Sequence, residues 1–177
     1  HNHVDLDAAA ALGESFLDLK QAKIAASLVE PVLIAHFFSR GNASLLKAIS
    51  RVFAELRANK KKFQVCEAGL KQYPHDYEFY IYKGQAEARL GNAAEAERLI
   101  NWGRMMEKLK ENPKDADAKM AMGEILIKEE RLVEGLKQLS EAAALLPDHT
   151  GVRWRLFRLY QRAGNIDEAE KYIHEIA

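Results

Sequence analysis

One segment near the end of the chain could place an aromatic ring and two guanidinium groups side by side. Trp154, Arg158 and Arg162 are spaced four residues apart, so in an α-helix they lie along one side. A tryptophan ring provides contact area, and guanidinium groups donate paired hydrogen bonds to carboxylates. The spacing therefore favours a binding surface for an acidic, partly apolar peptide.

No other set of residues has the spacing of a catalytic or metal site. Beyond His1 and His3, the histidines lie far apart and without ligand spacing, at His36, His75, His149 and His174. There is no glycine-rich phosphate loop and no zinc-ligand pair, and the carboxylates mostly stand at helical spacing from bases. The single cysteine, Cys66, falls at a helix-core position and is predicted to be an inert, packed thiol. We therefore expect a non-enzymatic protein with no metal and no cofactor.

The elements that position these residues follow from a period of 34 residues. Pro113 and Pro147 are 34 residues apart, and each is followed by two polar residues and a new helical segment. Small residues recur at the eighth position of the repeats, as at Gly84 and Gly123, where antiparallel helices can approach closely. A fixed period of this size predicts stacked helix pairs. The repeats with this phase begin at Ala43, Tyr77, Ala116 and Thr150.

This pattern resembles the tetratricopeptide repeat family over nearly the whole chain. Pentatricopeptide and Sel1-like repeats fit the small residues, prolines and period less well. The resemblance implies an all-α, right-handed superhelical solenoid of stacked antiparallel helix pairs. The residues that carry it are Tyr80, Gly84, Leu90, Gly91 and Ala96; then Gly123, Leu126, Leu139, Ala142 and Pro147; then Leu156, Tyr160, Gly164, Ala169 and Ile173.

The predicted division of the chain follows the repeats. Residues 1–3 are interpreted as a purification-tag remnant, 4–42 as a divergent repeat with a connector, and 43–76 as a second divergent repeat. Repeat 77–115 has five extra residues and should have an extended second helix, 116–149 is a regular repeat, and 150–177 is expected to continue in a longer array. The last repeat would otherwise expose a stacking face, so self-association through that face is the alternative. The apolar residues predicted at or near this face are Phe157, Tyr172, Ile173 and Ile176.

The resemblance also implies a concave groove lined by the first helix of each pair. The family's clamp for chaperone tails needs Lys and Asn at two groove positions, but only Lys47 matches and no Asn does. A chaperone-tail ligand is therefore not expected. Trp154 should be exposed, although a one-residue slip would exchange it with Arg153 at the neighbouring core position. The groove is predicted to run from acidic Asp7, Glu14 and Asp18 to a basic end, and the partner-binding candidates are Ile81, Gln85, Arg89, Met120, Glu124, Ile127, Lys128, Trp154, Arg158 and Arg162.

The functional prediction is a non-catalytic scaffold that binds a partner protein or peptide, partly apolar with an acidic end, within a multiprotein assembly. The alternative is a nucleic-acid-binding solenoid that uses helix 150–164, with Arg153, Arg155, Arg158 and Arg162. The 26 Lys and Arg residues equal the 26 Asp and Glu residues, which argues against a dedicated nucleic-acid or membrane-surface binder. The longest apolar run, 25–38, is interrupted and too short to insert into a membrane, so a soluble, cytoplasmic protein is favoured. Lys60, Lys61 and Lys62 are expected in a solvated turn.

Overall fold

The computed structural model describes residues 15, 21, 23, 24 and 43–176, and every regular element over 43–176 is helical. A helix begins at each residue where the period predicts a repeat to begin. The predicted tag remnant, nearly all of the 4–42 repeat and the acidic residues Asp7, Glu14 and Asp18 lie outside the described residues. The helices are α1 (Ala43–Glu55), α2 (Asn59–Gln72), α3 (Tyr77–Leu90), α4 (Ala93–Glu111), α5 (Ala116–Lys128), α6 (Leu132–Leu145), α7 (Thr150–Arg162) and α8 (Ile166–His174).

The chain divides into two units, and the boundary between them falls within α4, after Gly103. In the first unit, α1, α2 and α3 pack around a core that includes Ile49, Phe53 and Phe79. In the second unit, α5 to α8 pack in sequence, with Leu139 and Leu156 in the core. Short turns join consecutive helices, so each unit consists of stacked antiparallel pairs. The all-α, stacked-pair fold class is thereby confirmed.

Glycines permit the closest helix approach, as the period predicts. A Cβ on Gly123 of α5 would lie 2.8 Å from Leu139 Cγ and 3.1 Å from the Gly135 carbonyl oxygen on α6. A Cβ on Gly135 would in turn lie 2.6 Å from Ile127 Cγ1. Both helices therefore approach each other at a distance that leaves no room for a side chain at either position.

The turns inside the helix pairs use a left-handed residue at the same position of each repeat. Gly91 and Gly164 have φ of 95° and 73°, a conformation that glycine adopts without steric cost. Arg57 and Glu130 occupy the equivalent positions with φ of 54° and 62°, although neither is glycine. The left-handed conformation of these two residues could not be predicted from their types, because arginine and glutamate do not favour it.

The second helix of repeat 77–115 is the longest of the described helices. Helix α4 has 19 residues, whereas the other described helices have 9 to 14. It continues to Glu111, two residues before Pro113, which cannot donate the backbone hydrogen bond that helix continuation needs. The extra residues of this repeat thus lengthen the helix instead of forming a loop.

The prediction that Lys60, Lys61 and Lys62 lie in a solvated turn is wrong. All three are in the first turn of α2, where the Lys62 amide donates to the Ala58 carbonyl. Lys62 is buried, because it occupies a position at which the helix pair packs closely. The turn itself consists only of the three residues before Asn59.

The predicted exposure of the last repeat's end face is wrong at Tyr172. Its ring is buried and stacks on Tyr160 at a centroid distance of 5.7 Å, and its hydroxyl bonds Ser140 Oγ at 3.0 Å. Phe157, Ile173 and Ile176 are half-buried. Self-association through this face stays a prediction, which light scattering over a concentration series would test.

Across the described ranges, no helix is both long and apolar enough to cross a membrane.

Candidate functional site

Trp154 lies on the outer side of α7, as the repeat register predicts. The buried stripe of this helix is formed by Val152, Leu156 and Leu159, so Trp154 points away from it. Its side chain is 41% exposed, and its ring stands edge-on to Phe157 at a centroid distance of 5.5 Å. This contact orients the ring while leaving a large part of it accessible.

Arg158 and Arg162 extend the same side of α7 by one and two turns. Both are exposed, and within residues 43–176 neither has an ion-pair or hydrogen-bond partner. Their guanidinium groups therefore keep their hydrogen-bond donors available for a ligand. We call Trp154, Arg158 and Arg162 the α7 surface.

Arg153 explains why this register holds even though a charged residue stands at a core position. The side chain is buried, and its guanidinium donates to the carbonyls of Ala143 and Leu146, at 3.2 and 3.0 Å, at the C-terminal end of α6. It also pairs with Glu175 at 3.1 Å. Helix carbonyls without intrahelical partners need donors, and Arg153 supplies them. The one-residue slip that would bury Trp154 is therefore excluded.

The candidate residues on α5 are mostly engaged within the second unit. Met120 and Ile127 are half-buried and pack against its core. Glu124 accepts two hydrogen bonds from Arg155, at 2.8 and 2.9 Å, and this bonding raises the pKa of Arg155. Lys128 is exposed. Of the apolar partner-binding candidates in this unit, Met120, Ile127 and Trp154, only Trp154 is exposed.

The candidates of the first unit lie on α3. Ile81 is half-buried and packs over Gly103, where an added Cβ would lie 2.7 Å from Ile81 Cγ1. Gln85 and Arg89 are exposed. Sequence reasoning missed that Lys62 reaches Gln85, with Lys62 Nζ donating to Gln85 Oε1 at 2.8 Å. The available signal was a lysine at a position where the repeat normally has a small residue.

Lys47, the only lysine at a chaperone-clamp position, is neutralised by neighbouring acids. Its ammonium pairs with Asp76 at 3.2 Å and with Glu78. A peptide carboxylate would have to compete with both. Lys47 is therefore engaged by carboxylates of its own unit, and the absence of a chaperone-tail clamp stays a prediction.

Within the parts of the chain that the structure describes, no three His, Cys, Asp or Glu side chains are grouped so as to hold a metal ion. Cys66 is buried beside Ser50 Oγ, and burial raises the pKa of its thiol to about 11. The thiol is therefore protonated at neutral pH and packs as a small apolar side chain.

Comparisons with known proteins address the repeat itself. The family model described as tetratricopeptide repeat matches residues 126–177, which include α6, α7 and α8. A sequence comparison with curated proteins finds no match.

Among solved structures, the chain is similar to MamA proteins. MamA of AMB-1 is 17% identical, with 97% of this chain and 89% of that chain covered and a TM-score of 0.45. The MamA segment from residue 41 to the end, from Desulfovibrio magneticus RS-1, is 16% identical, with 97% and 92% covered and a TM-score of 0.46. The family match is confined to residues 126–177, where the end of α5 and the helices α6, α7 and α8 form the stacked antiparallel arrangement described above.

Proposed function

We propose that the chain is a non-catalytic scaffold that binds a partner protein or peptide within a multiprotein assembly. Tetratricopeptide repeats are in general protein-interaction modules, and the second unit carries such repeats. The observation that supports a binding role here is the α7 surface, where an exposed indole stands beside two guanidinium groups that have no partner among residues 43–176. Large aromatic and arginine side chains are enriched among residues that dominate binding energy.

The α7 surface favours a ligand with an apolar residue followed by acidic ones. An apolar side chain would cover the exposed part of the Trp154 ring, and carboxylates would accept paired hydrogen bonds from Arg158 and Arg162. Of a tryptophan surface of roughly 250 Å², the exposed 41% leaves about 100 Å² for contact. At about 25 cal/mol per Å², covering this area contributes about 2.5 kcal/mol to binding.

The alternative of a nucleic-acid-binding helix has less support in the side-chain contacts. Of the four arginines on helix 150–164, Arg153 is buried and Arg155 pairs with Glu124. Arg158 and Arg162 alone would displace few counterions from a nucleic acid, whereas binding to its phosphate backbone depends on many phosphate contacts. Fluorescence anisotropy with labelled single-stranded RNA should show no salt-dependent binding at micromolar protein.

Binding of a designed peptide tests the proposal. The probe has two leucines followed by three glutamates and is titrated into the ¹⁵N-labelled protein at constant ionic strength. We expect the indole N–H signal of Trp154 to shift saturably while that of Trp102 stays in place. Trp154→Ala should weaken binding by about 2 kcal/mol, which is about thirtyfold.

The folding of the same variants separates binding from stability. Trp154→Ala loses the edge contact with Phe157, worth about 0.5–1.5 kcal/mol, but gains about 0.5 kcal/mol of helix propensity. Its free energy of unfolding should therefore fall by no more than about 1 kcal/mol. Val133→Ala is the matched control, because Val133 is 82% exposed elsewhere in the same unit and should leave binding unchanged. Unchanged peptide affinity of Trp154→Ala would refute the proposed surface.

A further inference from the structure

Lys62 is a buried cation without an anionic partner. The residue is 4% exposed, and within residues 43–176 the only side-chain acceptor of its ammonium is the neutral amide oxygen of Gln85, at 2.8 Å. The ammonium also lies 5.4 Å from the centre of the Tyr82 ring. Burial of an ammonium is costly unless the charge is paired. Lys62 is therefore an unusual feature of the first unit.

Other partly buried lysines of this protein do have carboxylate partners. Lys47 pairs with Asp76 and Glu78, and Lys83 lies 3.7 Å from a Glu67 oxygen. Lys62 is more deeply buried than either, yet it lacks such a partner. Of these three lysines, Lys62 is thus the one that lacks a carboxylate partner within residues 43–176.

A second cation, Arg89, lies on the same helix as Gln85, one turn later on α3, and is exposed. Burial lowers the pKa of Lys62, and the positive charge of Arg89 lowers it further. Two cations therefore flank an exposed neutral side chain, and an anion bound there would relieve their repulsion.

We propose that Lys62, Gln85 and Arg89 form a site for one carboxylate of the partner protein, and we call these three residues the Lys62 site. The carboxylate replaces Gln85 Oε1 as the acceptor of the Lys62 ammonium, and Arg89 donates to its second oxygen. A charge-assisted hydrogen bond is about twice as strong as the neutral one that it replaces. The inference rests on the proposed function insofar as the carboxylate belongs to a protein ligand.

The same leucine–glutamate peptide tests the site in the full chain. We expect the side-chain amide signal of Gln85 to shift saturably as peptide is added, and Lys62→Met to weaken that response at least tenfold. Lys60→Met is the matched control, because Lys60 is exposed in the same turn of α2 and its loss changes the net charge equally. It should keep the wild-type response within a factor of two.

Two further measurements keep the test decisive. Arg89→Met, at an exposed position that does not affect packing, should weaken the Gln85 response several-fold if Lys62→Met fails to fold. Inorganic phosphate at the same ionic strength should produce no saturable shift. A silent Gln85 amide, equal responses of Lys62→Met and Lys60→Met, or saturation by phosphate alone would overturn the Lys62 site.

The two proposals can fail independently. A peptide that shifts the Trp154 indole but not the Gln85 amide refutes the Lys62 site and supports the α7 surface. A peptide that shifts Gln85 but not Trp154 refutes the α7 surface and supports the Lys62 site.

Discussion

Substitution of Gly123 tests the close helix crossing on which the second unit depends. A Cβ at this position would lie 2.8 Å from Leu139 Cγ and 3.1 Å from the Gly135 carbonyl oxygen. Leu139 is 1% exposed, so its side chain has no free space into which it could retreat. The helices α5 and α6 would have to separate to admit any larger side chain.

Two opposing effects determine how much a substitution at Gly123 changes the free energy of unfolding. Replacement of a mid-helix glycine by alanine favours the helix by about 1 kcal/mol, and leucine is nearly as favourable. Overpacking of a well-packed core costs about 1–3 kcal/mol and sometimes more. For Gly123→Ala the two effects nearly cancel. Gly123→Leu adds three more carbon atoms at the crossing, so packing dominates and we expect a net loss of about 1–3 kcal/mol.

Urea denaturation measures these changes if the slope of the transition stays constant. Gly151→Ala is the control, because a Cβ there would meet only the exposed His149 ring, at 3.1 Å. It should stabilise the protein by up to about 1 kcal/mol. Leu139→Ala should cost less in the Gly123→Leu background than in the wild type, because it vacates the overpacked space. A neutral or stabilising Gly123→Leu would show that the close-crossing assignment is wrong.

Three other predictions concern strain, buried polar contacts and ionisation. Glu130→Gly and Arg57→Gly should each raise the free energy of unfolding by about 0.5–1 kcal/mol in urea melts, because glycine adopts the left-handed conformation without the steric cost of a Cβ. A loss of stability would contradict this explanation. Arg153→Met should lower the melting temperature and cost about 1–3 kcal/mol, since the Ala143 carbonyl loses the guanidinium donor and the Leu146 carbonyl keeps only the His149 N–H, and a neutral result would refute its capping role. Cys66 should resist alkylation in the native state at pH 8, and rapid alkylation of the native protein would contradict the packing. The buried thiol should contribute fully to the free energy of unfolding below pH 9.0. This contribution should disappear as the pH rises to about 11, because the thiol of the unfolded chain ionises first.

Features that recur along the chain were predictable from the sequence. The period placed the starts of the described helix pairs, and Gly84 and Gly123 marked crossings that the structure confirms. The register also predicted the exposed position of Trp154. These features depend on local backbone preferences and on the spacing of small and apolar residues, both of which are present in the linear order of residues.

The roles of individual polar side chains were decided only by the tertiary structure. Arg155 pairs with Glu124 across 31 residues, and Lys62 bonds Gln85 across 23 residues. Arg155 has a partner and Arg158 has none among residues 43–176, and the spacing of the arginines along α7 could not reveal this difference. Long side chains choose among partners brought close by helix stacking, and this choice depends on distances between helices rather than on the repeat. The period therefore determined the scaffold, whereas contacts between stacked helices decided which cations on it remain available to a ligand.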